Sequence, residues 1–178
     1  MKFFPGSIPG VFLIEPFCHS DERGSFVKTF HENEFMEHGL EVAFKESFYS
    51  ISKKGVIRGM HFQLPPHEHS KLVFCTVGEV LDVVLDLRKD SPSYGHFESF
   101  QLNENNRSMV YIPKGCAHGF LAMSDLATVY YNTSTVHHPA SDTGIRYDSF
   151  GFSWPEGDKV LSDRDLSFKS FNDFISPF

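Results

Sequence analysis

The stretch Leu72–Leu87, LVFCTVGEVLDVVLDL, decides the fold class of this chain. It contains two short runs of mainly aliphatic and β-branched residues, Leu72–Val77 and Val80–Leu87, which are separated by the turn-forming pair Gly78-Glu79. Short apolar runs that are bounded by turn residues are typical of strands packed in a core. The stretch therefore predicts two consecutive β-strands.

The same pattern continues on both sides of this stretch. Ser25–Phe30 and Phe44–Ser52 alternate in polarity, and the second run ends at Lys53-Lys54-Gly55, which predicts a hairpin tip. Many short strands with closely spaced turns are typical of an all-β sandwich or barrel, and the 20 phenylalanines favour packed sheet faces. The remaining predicted strands are Val11–Ile14, Val56–Gln63, Glu98–Leu102, Met109–Ile112, Gly119–Met123 and Ala127–Thr133.

Helical signals are confined to two short segments. Asn33–Gly39 predicts a helix with Asn33 as its N-cap and Gly39 as its stop, and the tail Leu161–Phe174 has room for another. No internal repeat or linker divides the 178 residues, and 20.3 kDa is an ordinary size for one domain. We therefore expect a single domain that spans residues 1–178.

Composition excludes several classes of protein. The chain is 40% hydrophobic and 22% charged, which argues against disorder, and its net charge of −7 leaves no basic surface for nucleic acid. No apolar run is long enough for a membrane span, and Met1–Phe4 leads into a proline and a glycine, which predicts no signal peptide. Three cysteines, Cys18, Cys75 and Cys116, lack the spacing of a disulfide framework or zinc site and predict free thiols in a reducing, cytoplasmic setting.

Histidines are the main candidates for chemistry. His61 lies in the segment Arg58–Gln63, and on a regular strand His61 and Gln63 would share one face. A histidine with a nearby lysine and arginine in a barrel suits proton transfer beside an anionic substrate. A single histidine in a β-protein is more often structural, and we expect His137 and His138 to lie in a surface loop.

A metal site is the less favoured alternative. The spacing His67-x-His69 resembles the first cupin motif, and Pro113-x-Gly115-x-x-His118 matches half of the second. No acidic residue follows in Ser70–Val77, where a cupin usually supplies a glutamate ligand. The position of His67 and His69 directly after two prolines also suggests a loop, so we expect no metal ligands.

A set of ordered segments carries a resemblance that covers most of the chain. They are Asp21–Phe26, Val56–Gln63 with Pro65-Pro66, Lys71–Val73, Gly78–Val83, Asp86–Pro92, Ile112–Phe120, Trp154-Pro155 and Leu161–Asp165. In these segments the chain resembles the nucleotide-diphospho-4-keto-6-deoxy-sugar epimerases of the dTDP-4-dehydrorhamnose 3,5-epimerase type. The resemblance implies a metal-free, cupin-type jelly-roll barrel with short flanking helices that works without a cofactor.

The resemblance also implies roles for individual residues. His61 matches the base, Asp165 the carboxylate that orients it, and Tyr131 the acid on the opposite face of the sugar. Lys71 matches a group beside the 4-keto oxygen. Tyr130 lies next to Tyr131 and would face the other side of the strand, so one of the two tyrosines belongs to the core. The implied substrate-binding residues are His118 near the 4-keto oxygen, Arg23 and Arg58 at the diphosphate, and Gln63, Phe26, Glu46 and Phe48.

The implied set agrees with the chemistry of an epimerase. A proton beside a ketone can be removed only if the enolate oxygen is stabilised, which suits a cation and hydrogen-bond donors. Inversion requires a base on one face of the carbon and an acid on the other. Glu46 and Phe48 stand where the family often has amides, and His137 and Asp142 also differ. These changes leave open a dTDP- or CDP-linked substrate, and reaction at C3 alone or at C3 and C5.

Other functions remain as alternatives. A nucleotide-sugar 3,4-ketoisomerase would use a base on one face only, a metal-dependent cupin would hold a metal, and a sugar-binding jelly roll would lack the base. We expect a place in deoxysugar synthesis, including surface polysaccharides such as the O-antigen of lipopolysaccharide. The apolar segment Met1–Phe17 and the exposed edges of an open jelly roll predict a homodimer. The resemblance implies that N-terminal strands cross between subunits, which would bring Arg23 to the neighbour's site.

Overall fold

The computed structural model describes residues 1–178 and shows two antiparallel sheets that face each other, with few helical residues. This architecture confirms the all-β prediction. The strands are β1 (Lys2–Pro5), β2 (Phe12–Glu15), β3 (Phe17–Asp21), β4 (Gly24–Lys28), β5 (Glu46–Lys53), β6 (Ile57–Gln63), β7 (Lys71–Val77), β8 (Glu79–Asp86), β9 (Phe97–Asn103), β10 (Met109–Ile112), β11 (Cys116–Ala122), β12 (Leu126–Thr133) and β13 (Asp142–Gly144). The helices are α1 (Glu32–Glu37) and α2 (Asp163–Leu166), and Phe171–Asp173 forms a 3₁₀ turn.

The strand order identifies a jelly roll. One sheet has the order β1-β2-β10-β7-β12-β5, and the second has the order β13-β6-β11-β8-β9. The hairpin of β3 and β4 stands apart from both sheets. The chain thus crosses between the two sheets several times, as in the predicted cupin-type barrel.

Two of these crossings lie at turns that the sequence predicts. The runs around Gly78 form β7 and β8 as predicted, but the two strands belong to opposite sheets. Gly78 has a φ of +73°, and a Cβ atom there would lie 2.0 Å from the carbonyl oxygen of Leu126, so this crossing requires glycine. The predicted hairpin tip at Lys53-Lys54-Gly55 is wrong, because β5 pairs with β12 whereas β6 pairs with β11 and β13. That segment is another crossing between sheets.

The space between the sheets is apolar at one end and polar at the other. Side chains such as Val73, Val84, Phe120 and Val129 form the apolar core. Every second side chain of a strand points inward, and toward one end of the barrel these inward positions hold the polar residues that form the cavity described below.

Two further layers cover the outer faces of the sheets. The C-terminal segment packs aromatic residues, including Phe150 and Trp154, on the outer face of the second sheet. Helix α1 packs Phe35 against Ile14 and Leu72 on the outer face of the first sheet. Neither helix has the length or the apolar run that a membrane span would need.

The boundaries of α1 differ from the prediction at the N-terminal end only. His31, not Asn33, occupies the N-cap of α1, and its side chain makes no capping bond, so the Asn33 cap is wrong. Gly39 ends this segment as predicted, with a φ of +69° and a bond from its N–H to the carbonyl of Met36. The tail forms α2, whose N-cap Ser162 accepts a hydrogen bond from the N–H of Asp165. The strands β1, β3 and β13 have no counterpart among the predicted elements.

Candidate active site

A cavity of about 360 Å³ lies at the polar end of the space between the sheets. Its size is within the range of small-molecule sites. Strands of both sheets line it, so a bound molecule would be held between two walls. The predicted site residues that line it are His61, Gln63, Lys71, His118, Arg58, Glu46, Phe48 and Tyr131, and they are joined by Ser50, Phe62, His69, Thr133, His137, Asp142 and Arg164.

One wall carries a histidine–carboxylate pair. The Nε2 atom of His61, on β6, lies 2.8 Å from Oδ1 of Asp165 on α2. The backbone N–H of Gly59 donates to the other carboxylate oxygen at 3.1 Å. Burial raises the pKa of Asp165, but the hydrogen bonds and the charge of His61 outweigh it, so the net pKa is lowered and the carboxylate is ionised. An ionised carboxylate only accepts, so Nε2 of His61 carries a hydrogen, and in the neutral form of the ring Nδ1 keeps its lone pair.

Glycine is required beside this pair. Gly59 has a φ of +140°, and a Cβ atom there would lie 2.5 Å from the Cα of Gly119 on the adjacent strand β11. The close approach of β6 and β11 thus depends on both glycines, and it sets the backbone that presents His61.

The opposite wall carries the predicted acid. Tyr131, on β12, is buried, stacks on Phe48 of β5 at 4.8 Å between ring centroids, and has its hydroxyl 3.5 Å from Oγ of Ser50. Burial raises the pKa of the Tyr131 phenol, which keeps its proton on the ring oxygen. Tyr130 faces the other side of the sheet and stacks on Phe74 at 5.6 Å. Of the two tyrosines, Tyr131 is therefore the one in the cavity.

Lys71 supplies a buried cation to the cavity. Its Nζ atom donates to the carbonyl oxygen of His61 at 3.1 Å. Burial lowers the pKa of Lys71 to about 8, although the charges of Asp142 and Asp82 oppose this shift. Lys71 therefore remains cationic up to about this pH and has two further N–H groups for a ligand.

His118 forms a second histidine–carboxylate pair, deeper in the barrel. Its Nε2 atom lies 2.7 Å from Oδ2 of Asp82, and both side chains are buried. Burial lowers the pKa of His118 more than the charge of Asp82 raises it, so the ring is neutral. A neutral imidazole has one N–H, and the carboxylate of Asp82 takes it. His118 therefore borders the cavity without a hydrogen to offer a ligand.

Two arginines lie on the cavity wall. Arg58 is held by a bond from its Nε to Oγ of Ser52 at 3.0 Å. Arg164, which was not predicted, donates from Nη2 to Oδ2 of Asp142 at 2.7 Å. Its position directly before Asp165 in Leu161–Asp165 was the available signal. Guanidinium groups bind phosphate oxygens well, so this wall suits an anionic ligand.

Backbone hydrogen bonds order the polar groups at the rim. Glu46 accepts from the N–H of His137 at 2.8 Å, and Gln63 accepts from the N–H of His138 at 2.6 Å. His137 lies in the predicted loop but also lines the cavity, with Nε2 3.2 Å from Asp142. The prediction that His137 belongs only to a surface loop is therefore incomplete.

Two predicted binding residues lie elsewhere. Arg23 and Phe26 belong to the hairpin of β3 and β4 and do not line the cavity of their own chain. The guanidinium of Arg23 pairs with Asp21 at 2.5 Å and is exposed, and the Phe26 side chain is 59% exposed. Within one chain, then, neither residue is brought together with the others.

The two histidines of the cupin-like motif lie in different surroundings. His69 lines the cavity, whereas His67 stacks on His138 with 3.7 Å between ring centroids. No group of three or more histidine, cysteine or acidic side chains is arranged to hold a metal ion. The residues that suggested a metal cupin therefore do not form a ligand set.

Comparisons with known proteins agree on one family for this chain. A family model described as dTDP-4-dehydrorhamnose 3,5-epimerase matches residues 5–173. The dTDP-4-dehydrorhamnose 3,5-epimerase of Methanothermobacter thermautotrophicus is 42% identical over 94% of this chain and 93% of its own length. The dTDP-4-dehydrorhamnose 3-epimerase of Streptomyces niveus is 39% identical over 93% of this chain and 81% of its own.

A solved structure extends the likeness to three dimensions. The dTDP-6-deoxy-D-glucose-3,5-epimerase of Legionella pneumophila, in complex with dTDP-4-keto-L-rhamnose, superposes with a TM-score of 0.93. It is 34% identical, and the match covers 98% of this chain and 94% of that one. The chain therefore belongs to the dTDP-4-dehydrorhamnose 3,5-epimerase family and is an epimerase of the isomerase class.

Proposed function

We propose that this enzyme inverts C3, or C3 and C5, of a dTDP-linked 4-keto-6-deoxyhexose in deoxysugar biosynthesis. One observation carries the proposal: a histidine–carboxylate pair and a protonated tyrosine enter the same cavity from opposite sheets. His61 lies on the second sheet and Tyr131 on the first, which is the arrangement that inversion of a carbon requires.

The reaction proceeds in two proton transfers. Nδ1 of His61 takes the proton from a carbon next to the ketone, and the electron pair of that C–H bond moves onto the ketone oxygen. Lys71 stabilises the resulting enolate by its charge and its free N–H groups. Tyr131 then gives its phenolic proton to the opposite face of the same carbon, which leaves the inverted sugar and a tyrosinate. Solvent returns a proton to Tyr131 and removes one from His61.

Asp165 acts through His61. Its carboxylate fixes the tautomer that leaves Nδ1 free, and its charge stabilises the imidazolium formed when His61 takes the proton. Around this centre Arg58 and Arg164 suit the diphosphate, while His118, Gln63, Glu46 and Phe48 border the remainder of the substrate.

The nucleotide is assigned from the relatives, whose names specify dTDP. Relatives of comparable identity are named both as 3,5-epimerases and as a 3-epimerase, so identity alone does not select the carbon. We place the reaction in a single cytoplasmic domain of residues 1–178, with the O-antigen of lipopolysaccharide as one destination. Free thiols at Cys18, Cys75 and Cys116 are consistent with a reducing compartment.

Deuterium exchange tests this function. The enzyme is incubated in deuterium oxide with dTDP-, CDP- and GDP-linked 4-keto-6-deoxyhexoses, and deuterium is located by NMR. We expect deuterium at C3, or at C3 and C5, of an epimerised dTDP-sugar, because an α-proton that the enzyme removes exchanges with solvent faster than in a sample without enzyme. Turnover of the CDP-sugar alone would reassign the nucleotide. A 3-keto product without epimer would indicate a ketoisomerase, and absence of any exchange would contradict the proposal.

We further propose that the active enzyme is a homodimer in which the β3–β4 hairpin reaches the partner's site. The exposed side chains of Phe17 and Phe26 on this hairpin support a protein contact, since large apolar groups are rarely left in water together. Such a contact would also bring Arg23 from the hairpin to a second cavity, where it could bind diphosphate.

Light scattering tests the dimer. At micromolar concentration we expect a mass about twice the 20.3 kDa of one chain, because the edge strands and the hairpin would be covered in the dimer. The double variant Phe17→Ser with Phe26→Ser should shift the mass toward the single-chain value. A wild-type mass of one chain would contradict the homodimer.

A further inference from the structure

His69 lines the cavity but has no part in the chemistry described above. It lies in the loop between β6 and β7, near Lys71 and His118, and it is half-buried. Its Nε2 atom is shielded from solvent and has no hydrogen-bond partner within the chain. A buried polar atom without a partner is unfavourable, and because the His69 ring lines the cavity, the geometry points to a ligand bound there as the partner.

The neighbouring amide of Gln63 determines which nitrogen of His69 carries the hydrogen. The Gln63 oxygen accepts from the N–H of His138 at 2.6 Å, and its nitrogen donates to the carbonyl of His67 at 2.7 Å. These two bonds fix the orientation of the amide. The amide nitrogen, which can only donate, lies 3.2 Å from Nδ1 of His69 and 3.3 Å from both Oγ1 of Thr135 and the carbonyl oxygen of Val136. Because Nδ1 faces a group that cannot accept, the tautomer with its hydrogen on Nε2 is favoured.

The charge state of His69 limits what it can bind. Burial lowers the pKa of His69 to about 3, and the charge of Lys71 acts in the same direction. The ring is thus a neutral donor at neutral pH. A neutral N–H suits a carbonyl or hydroxyl oxygen, whereas a diphosphate is better met by the arginines.

Apart from the hydroxyls of Ser50 and Tyr131, other donors of the cavity are wholly or partly used. The N–H of His118 is taken by Asp82, and one N–H of Lys71 is taken by the carbonyl of His61. A hexose presents several oxygens that lose water on entering the site and need new partners.

We propose that His69 is a substrate-binding residue whose Nε2–H donates a hydrogen bond to a carbonyl or hydroxyl oxygen of the hexose. The identity of that sugar rests on the function proposed above, but the hydrogen-bond donor does not. The contact would make His69 a determinant of sugar binding and leave nucleotide binding to other groups.

The test compares three variants. His69→Phe keeps a ring but removes the donor, and we expect it to raise KM for the 4-keto-sugar about tenfold, the effect of one hydrogen bond. Its affinity for dTDP alone, measured by calorimetry, should stay within about twofold. Changes of about this size are typical when a substitution lies far from the groups that bind the ligand. His69→Gln, whose amide can donate, should recover most of the loss. His67→Phe is the matched control in the same loop and should leave both constants unchanged, because the ring of His67 stacks on His138 outside the cavity.

Several results would overturn the proposal. They are an unchanged KM in His69→Phe, a parallel loss of dTDP affinity, or a His69→Gln variant that folds yet performs no better than His69→Phe. Nitrogen-15 NMR of histidine-labelled wild-type enzyme gives a check that needs no variant: His69 should be neutral with hydrogen on Nε2, and hydrogen on Nδ1 would contradict it. If the wild-type enzyme turns over no 4-keto-sugar, the function fails. The His69 contact would still be supported if His69→Phe binds dTDP-glucose more weakly and dTDP equally.

Discussion

The His61→Asn variant is expected to lose exchange of the substrate α-proton by about 10²- to 10⁴-fold, the usual contribution of a positioned general base. The asparagine amide is too short to reach Asp165 from the position of Nε2, but the carboxylate keeps the backbone N–H of Gly59 as a partner, so we expect the fold to be preserved. The amide has no basic nitrogen to take a proton, however, and the other histidine–carboxylate pair of that sheet, His118 with Asp82, is buried deeper in the barrel.

The measurement is deuterium uptake from deuterium oxide, with dTDP affinity determined in parallel. Affinity should change little, because the nucleotide and diphosphate do not depend on the base. His38→Asn serves as a matched control, since the His38 ring stacks on Phe3 and does not line the cavity. Near-normal exchange in His61→Asn would remove His61 from the role of base and direct attention to His118, which also lines the cavity.

The sequence was sufficient for the fold class because strand signals are local. Apolar runs and turn residues around Gly78 located β7 and β8 within one residue of their ends. Which strands pair is not a local property, and the segment Lys53-Lys54-Gly55 reads equally well as a hairpin tip or as a crossing between sheets. The strand β13 was missed because three residues that pair with β6 carry no periodicity of their own.

Site residues could be predicted where they lie on a strand whose inward-facing positions are known. Given Tyr131 and Phe48, a period of two also places Thr133 and Ser50 on the cavity face. The role of His69 could not be predicted in this way, because its environment depends on the amide of Gln63 and on a loop. Arg23 is a different case: its proposed function requires a second chain, so no analysis of a single chain brings it to the cavity.

The Tyr131→Phe variant is expected to separate proton removal from inversion. The phenyl ring keeps its stacking on Phe48, and the hydroxyl that is lost has only a long 3.5 Å contact with Ser50, so the wall of the cavity is preserved. Without the phenol, the far face of the enolate has no acid, and epimer formation should fall by about 10²-fold or more. His61 still forms the enolate and can return a proton to the same face.

Recovered substrate should therefore contain deuterium while little epimer accumulates, provided that the proton on His61 exchanges with solvent before it returns. We therefore expect only part of the recovered substrate to have its α-proton replaced by deuterium. Tyr130→Phe is the matched control, because Tyr130 is the neighbouring residue of β12 on the opposite face and stacks on Phe74 outside the cavity; it should epimerise at the normal rate. If Tyr131→Phe also epimerises normally, the acid must be another group at the rim. His137, which lines the cavity near Asp142, would then be the residue to replace next.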